Sequence, residues 1–206
     1  QLISHGYCKT VEALLKTEAM QFHCSNQGFG CQAFLHGYAM TQHETECIYR
    51  MVNCPRLSCG YKIPFRKVLQ HMEENKDLIL PVKKDLDYCK ISLENYNSGN
   101  FTLLPVKFQY EKNVFVCIGK AKDGVFYHWL QMIGSSNEAK NFNYTLEYFG
   151  NDASKTNCKF TGQVFSIDER GEELIAKEKC FGMSWTRTHD RDSQNNLARP
   201  IHATQP

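Results

Sequence analysis

With 206 residues, 24 Lys and Arg against 22 Asp and Glu and a formal net charge of +2, the chain has room for one large domain or two small ones. It lacks the cationic excess that nucleic acid or an anionic membrane surface selects. No apolar run approaches the eighteen or so residues that span a bilayer, so a membrane partner is not expected.

The first eight residues carry little signal beyond Cys8, most simply a free thiol. From Lys9 to Gln21, Val11, Leu14, Leu15 and Ala19 recur at helical spacing and predict a short amphipathic helix. The chain begins at Gln1 rather than methionine, so it is expected to be a piece of a longer protein. Three regions are predicted: residues 1–22 as entry helix and linker, 23–77 as a cysteine-rich region and 78–206 as a β-domain.

The stretch from Cys24 to His71 organises the chain. Cys24 and Cys31 are separated by six residues, His43 follows after eleven more and Cys47 after three. Tetrahedral zinc needs four thiolate or imidazole donors, typically one pair from a turn and one from a helix end. A second set repeats the pattern incompletely: Cys54, Cys59 after four residues and His71 after another eleven. A fourth donor is expected about four residues beyond His71, where Asn75, Lys76 and Asp77 stand, with Glu74 and Asp77 the only nearby oxygen donors. Zinc is therefore the expected cofactor, with a complete donor set at the first site and an incomplete one at the second. The region is too short and too poor in aliphatic residues to bury a core, so metal binding must replace hydrophobic burial. His23 and His36 lie close enough to act as errant ligands, and disulfides among the ten cysteines are the competing reading.

Between Ser25 and Glu46 there is no Lys or Arg, which argues against a finger that neutralises phosphates. Arg56, Lys62, Arg66 and Lys67 in the second unit read as a solvated face. A short helix opening near Phe65 is predicted from Val68, Leu69 and Met72, with His71 near its end. Leu78 to Val82 is an extended run, with Pro81 marking an edge or a strand end.

From Tyr88 the punctuation is that of an antiparallel β-sandwich. Strands are predicted at Tyr88–Leu93, Phe101–Tyr110, Val114–Gly119, Val125–Ile133, Asn143–Phe149 and Lys159–Ile167, each bounded by Asn, Gly, Ser or Asp. Phe142, Tyr144, Leu146 and Tyr148 alternate with polar residues, and Asp123-Gly124 reads as a hairpin turn. Asp168–Lys179 is a surface turn or single helix, Cys180–Trp185 a further strand, and a last short strand is expected near Ile201. Cys89, Cys117, Cys158 and Cys180 read as buried free thiols, and His128 as a satisfied core residue. Asn100 and Asn143 begin N-x-T sequons, which matter only if the chain is a secreted, disulfide-linked glycoprotein. No nucleophile elbow, phosphate-cradling loop or Cys/His dyad outside the donor sets suggests hydrolysis.

Tandem Cys/His units followed by a sandwich resemble the substrate-binding half of the seven-in-absentia ubiquitin ligases, relatives of the TRAF proteins. Leu130-Gln131-Met132-Ile133-Gly134, then Ala139, Phe142, Tyr144, Leu146 and Glu147, are similar to that family's signature. The resemblance implies a mainly-β molecule with two SIAH-type zinc fingers and a TRAF-like sandwich that dimerises and binds degron peptides of target proteins in the cytoplasm or nucleus. It implies a peptide groove near Leu80, Val82, Leu103 and Pro105, although these positions reproduce the family's aromatic and methionine residues poorly. A conjugating enzyme would be recruited only by an upstream RING domain, for which nothing before Cys24 offers the ligands. A RING-less adaptor is the alternative.

Overall fold

The computed structural model describes residues 20–75, 100–103, 105–149, 156–184 and 197–204. The entry helix up to residue 19, the run Leu78–Val82, the strand at Tyr88–Leu93 and Trp185 lie outside these residues. Gln21 opens a strand rather than closing a helix.

Two compact units emerge. One comprises Gln1–Val52 with Ile63–Val68, the other Asn53–Lys62 with Leu69–Pro206. In the first unit, β1 (Gln21–His23) and β2 (Phe34–His36) form an antiparallel ladder pairing Phe22 with Leu35. Helix α1 (Gly37–Glu46) follows β2 directly. Its core consists of Cys24, Cys31, Met40 and Cys47, with Phe22, Ala33, Leu35 and Tyr49 packed against them. Three of the four central residues are thus candidate metal donors, as expected where an ion substitutes for aliphatic burial. Arg50, itself buried, stacks its guanidinium 3.9 Å above Phe65, and Arg66 lies 4.5 Å over Tyr49. Arg66 itself stays exposed, as a solvated face requires, with one side of its guanidinium over the ring.

Short strands β3 (Met51–Asn53) and β4 (Lys62–Pro64) form a two-stranded sheet. Helix α2 (Val68–Glu74) then buries Val68 and Met72, one turn apart on one face. The charge-rich segment near residue 170 forms a single helix.

In the second unit the large sheet is built on the hairpin of β7 (Asn113–Lys122) and β8 (Val125–Met132), paired from Phe115↔Met132 to Lys122↔Val125. The turn between them holds Asp123 at φ 51° and Gly124 at φ 76°. Two successive left-handed residues make the turn whose twist matches a two-residue hairpin, and Gly is the residue that adopts that backbone without strain. β5 (Phe101–Thr102) and β6 (Val106–Tyr110) both pair with β7. The single run expected there is broken at Pro105, which has no N–H to give the ladder.

A second sheet of three strands has the order β10 (Thr156–Gln163), β9 (Asn143–Phe149), β13 (Leu197–Thr204). Phe115, Cys117, Leu130 and Met132 from the large sheet meet Tyr144 and Leu146 from the small one in a single core, with Phe142, Val164 and Phe181. This is a mainly-β sandwich, as the spacing predicted. Among the described residues the pairing is antiparallel except where β11 (Phe165–Ser166) joins β8 in parallel. β12 (Phe181–Ser184) pairs with the same strand in the antiparallel sense.

The Leu130–Gly134 segment is explained by that parallel junction. The buried Gln131 side chain donates to the carbonyls of Ser166 (3.2 Å) and Glu169 (2.6 Å), while Ser166 Oγ donates to Gly134 O at 2.7 Å. Ser135 then caps α3 (Ser136–Ala139), its hydroxyl accepting from the Glu138 N–H while Glu138 accepts from the Ser135 N–H. Gln131 and Gly134 of the signature thus fasten this junction, while Leu130, Met132, Ala139, Phe142, Tyr144 and Leu146 fill the core. Helix α4 (Gly171–Ala176) starts against the buried Trp129, so closely that a Cβ on Gly171 would lie 2.5 Å from its ring.

Candidate metal centres

The first donor set is assembled from two local structures. Cys24 ends the β1 ladder and caps a 3-10 turn over Ser25–Phe29, its sulfur accepting from the Asn26 N–H at 3.4 Å. Gly30 closes the turn at φ 107°, and Cys31 follows with its N–H on Asn26 O at 3.2 Å. The left-handed residue reverses the chain so that both sulfurs face one point. His43 and Cys47 come from the last turn of α1, four residues apart on one helical face. Glu44 Oε1 accepts the Ser25 N–H at 2.9 Å, clipping helix to turn. That bond also holds the Glu44 carboxyl below its usual value.

The donor atoms of Cys24, Cys31, His43 and Cys47 lie within 4.8 Å of one another. Cys24 Sγ stands 3.8 Å from Cys47 Sγ, and Cys31 Sγ 3.3 Å from His43 Nε2. Zinc–sulfur bonds of about 2.3 Å in a tetrahedron set two sulfurs roughly 3.8 Å apart, so the set fits a zinc ion. The thiols are also polarised against each other. Burial works against the Cys24 thiolate, but the Asn26 N–H and the neighbouring thiols and amide outweigh it and keep Cys24 below the ordinary value. Burial first, and the neighbouring Cys31 and Cys24 sulfurs with it, push Cys47 up to about 11. Three such thiols cannot all ionise around an empty centre; a shared divalent cation is what lets them, with His43 ligating as a neutral imidazole. His23 and His36 lie outside the cluster. His23 stacks on Phe34 at 4.6 Å, and His36 caps the start of α1.

The second set is looser. Cys54 follows β3 with its N–H on Tyr61 O (2.9 Å), and the Cys59 N–H closes a turn on Arg56 O (3.0 Å). His71 faces them from α2, its Nε2 3.4 Å from Cys59 Sγ. These three donors converge, and no fourth His, Cys or carboxylate joins them among the described residues. Burial pushes the Cys54 thiol up to about 11. All three donors fall in the same compact unit as the sandwich. There Leu57 approaches Gly171, and Glu73 of α2 pairs with Lys107 of β6 at 3.1 Å.

No disulfide joins any cysteine among the described residues. Of the expected peptide-binding residues, Leu80 and Val82 lie outside the described residues. Leu103 is buried with Ala121 and Phe126, and Pro105 is fully buried. Both side chains are enclosed in the β-domain, between β5 and β6. One buried polar contact was not legible in the sequence: Cys117 Sγ lies 2.6 Å from His128 Nε2 inside the sandwich. The two residues sit on neighbouring strands at diagonal positions, a relation that only register reveals.

Two family models match the chain in succession: the Sina zinc finger over residues 16–95 and the Sina TRAF-like domain over residues 107–197. The chain belongs to the seven-in-absentia family. Among curated relatives, the E3 ubiquitin-protein ligase sina of Drosophila melanogaster is 29% identical over 167 residues, covering 79% of this chain and 52% of that protein. The E3 ubiquitin-protein ligase siah-1 of Caenorhabditis briggsae is 25% identical over 172 residues, covering 79% and 38% respectively. The chain thus spans about half the length of the sina relatives it matches. As a family member it binds zinc, with two clusters available to do so. No helix among the described residues is long and apolar enough to cross a membrane.

Proposed function

We propose that this chain is the substrate-recognition half of a seven-in-absentia ubiquitin ligase, selecting degron-bearing proteins for ubiquitination and degradation. The observation that carries the reading is the succession of the two Sina modules, zinc finger then TRAF-like domain, in one chain. Proteins to which the chain is similar are named E3 ubiquitin-protein ligases. The ligase activity would belong to the whole protein, with the conjugating enzyme recruited by a RING domain and this chain supplying the choice of target.

The recognition chemistry follows from the sheet. Among the described residues β6 pairs on one side only, with β7. An extended peptide can add to such an edge, backbone bonds giving affinity and side-chain pockets giving selectivity. In this reading Leu80 and Val82 contact the peptide, while Leu103 and Pro105 support the edge from below. Zinc at Cys24, Cys31, His43 and Cys47 is structural: those residues hold the finger closed and leave no position for a reacting group. The sandwich also mediates homodimerisation, and the protein works in the cytoplasm or nucleus.

The test is selection from a random-peptide display library on the zinc-loaded chain. An enriched extended motif is expected, with affinity lost when alternate backbone amides of the peptide are N-methylated. Failure to enrich any motif, or indifference to backbone methylation, would remove the edge-recognition reading.

A further inference from the structure

Asn26 touches both cysteines of the first turn. Its backbone N–H donates to Cys24 Sγ at 3.4 Å and its side-chain Nδ2 to the same sulfur at 3.6 Å, while its carbonyl accepts the Cys31 N–H at 3.2 Å. The Gly30 N–H turns toward that carbonyl too. Within the 3-10 turn Asn26 leaves the helical conformation, at φ −88° and ψ 16°. This is the bridge region, where the chain bends and a short polar side chain can reach its own neighbours. The backbone bonds are open to any residue but proline at this position. The second donor to Cys24 exists only because the residue is asparagine, and of its amide's two ends only Nδ2 can face a thiolate. Accessibility does not single Cys24 out, since Cys24, Cys31 and Cys47 are 2%, 4% and 2% exposed.

We propose that Asn26 is a positioning residue of the first centre, its side-chain amide fixing the Cys24 sulfur toward the ion and shielding it from electrophiles. The inference rests on the structural-zinc reading above. A thiolate is both the metal ligand and the nucleophile. A donor aimed at it binds more strongly as the sulfur becomes anionic, and occupies electron density that an electrophile would otherwise attack. The same bond fixes where the sulfur points, which is how groups behind metal ligands tune affinity. Cys47 takes a backbone donor, the Tyr49 N–H, whereas Cys24 takes a backbone and a side-chain donor from one residue. Because that residue also holds the Cys31 N–H, it sets both cysteines of the turn, while the period of α1 sets His43 and Cys47.

Alkylation of the intact, zinc-loaded chain by iodoacetamide under rising chelator, with each label located by tandem mass spectrometry, tests this. In the parent, Cys24 should be the last of Cys24, Cys31 and Cys47 to react. Asn26→Ala keeps the backbone bonds and removes the side-chain donor. It should end the protection of Cys24 relative to the other two and lower the chelator concentration that opens the finger by about tenfold. Asn26→Asp keeps the shape and the turn preference but sets a carboxylate against the thiolate, so it should lower that concentration further. Labelling of Cys54 and Cys59 should be the same in all three chains. A residue that merely shapes the turn would give the opposite order, with Asn26→Asp matching the parent. That result, Asn26→Ala opening at the parent's chelator concentration, or Cys24 reacting as early as Cys31 in the parent would overturn the proposal while leaving the zinc reading intact. Equal changes at Cys54 and Cys59 would mean general loosening and would overturn it too. Three finger thiols open to alkylation before any chelator is added would overturn the zinc reading itself.

Discussion

The first finger and the sandwich reach order by opposite routes. The finger's centre consists of three cysteines and Met40, with partly exposed apolar residues around them. Phe29, Phe34, Tyr38 and Ile48 remain on its surface. The sandwich buries Phe115, Leu130, Tyr144 and Leu146 almost completely and needs no ion to do so. Where the chain cannot enclose enough apolar area, coordination supplies the missing free energy; where it can, the ladder and the core suffice. The second cluster lies between these extremes, with three donors among the described residues but a place in the same compact unit as the sandwich.

The largest expected effect separates the routes. Removing zinc with a chelator, or replacing Cys47 by Ala, should cost the finger a folding contribution on the order of 10 kcal/mol. Hydrogen exchange at residues 21–52 should become fast, while amides in β7 and β8 stay protected. Simultaneous loss of protection in both regions would show that the sandwich also depends on the ion. Phe115→Ala should do the reverse. It leaves a cavity beside Phe108, on which its ring stacks at 5.3 Å, and Phe142, which meets it edge-on at 5.3 Å, and should cost about 3–5 kcal/mol in sandwich stability. Metal stoichiometry at Cys24, Cys31, His43 and Cys47 should not change.

What the sequence discloses follows the same division. Donor spacing revealed both clusters because a metal site is written in residue type and interval, and His43 with Cys47 needs only a helix to converge. Alternation exposed β9, and Asp123-Gly124 exposed the central hairpin, because both are local. Contacts between distant segments were hidden: the parallel β11–β8 pair and the Gln131 bonds to Ser166 and Glu169 depend on register across more than thirty residues. The burial of Leu103 and Pro105 was hidden for a related reason. Resemblance placed Leu103 and Pro105 at a surface, but Leu103 packs on Phe126 and Ala121, and a strand's inward and outward faces differ by a single residue of register.

Acid should sharpen the contrast within the sandwich. Burial lowers the His128 pKa from 6.5 to about 4. In the folded chain the imidazole therefore stays neutral beside Cys117, while the unfolded chain takes up a proton as pH falls below about 6.5. The stability is fully present above pH 6.5 and is lost progressively toward pH 4, amounting to about 3 kcal/mol. Urea unfolding monitored by tryptophan fluorescence at pH 7, 5.5 and 4 should show this slope. His128→Met should flatten it relative to the parent, which separates the sandwich from acid release of zinc. An unchanged slope in His128→Met would assign the acid sensitivity to other groups.

The smallest effect concerns how the second cluster is held. Lys107 and Glu73 pair at 3.1 Å, but the Glu73 side chain is 67% exposed. In high dielectric, with two long side chains to order, such a pair contributes about 0–1 kcal/mol and is screened by salt. Glu73→Gln should therefore lower stability by less than 1 kcal/mol, and the difference from the parent should vanish in 1 M salt. Leu57 against Gly171 makes an apolar contact in the same unit, and salt does not weaken such contacts. If Glu73→Gln released the helix carrying His71, seen as fast exchange at Leu69–Glu74 and loss of one bound metal, the ion pair would be what orders the second cluster. If it leaves both unchanged, apolar packing and the metal position His71, and the cluster belongs with the sandwich in how it is stabilised.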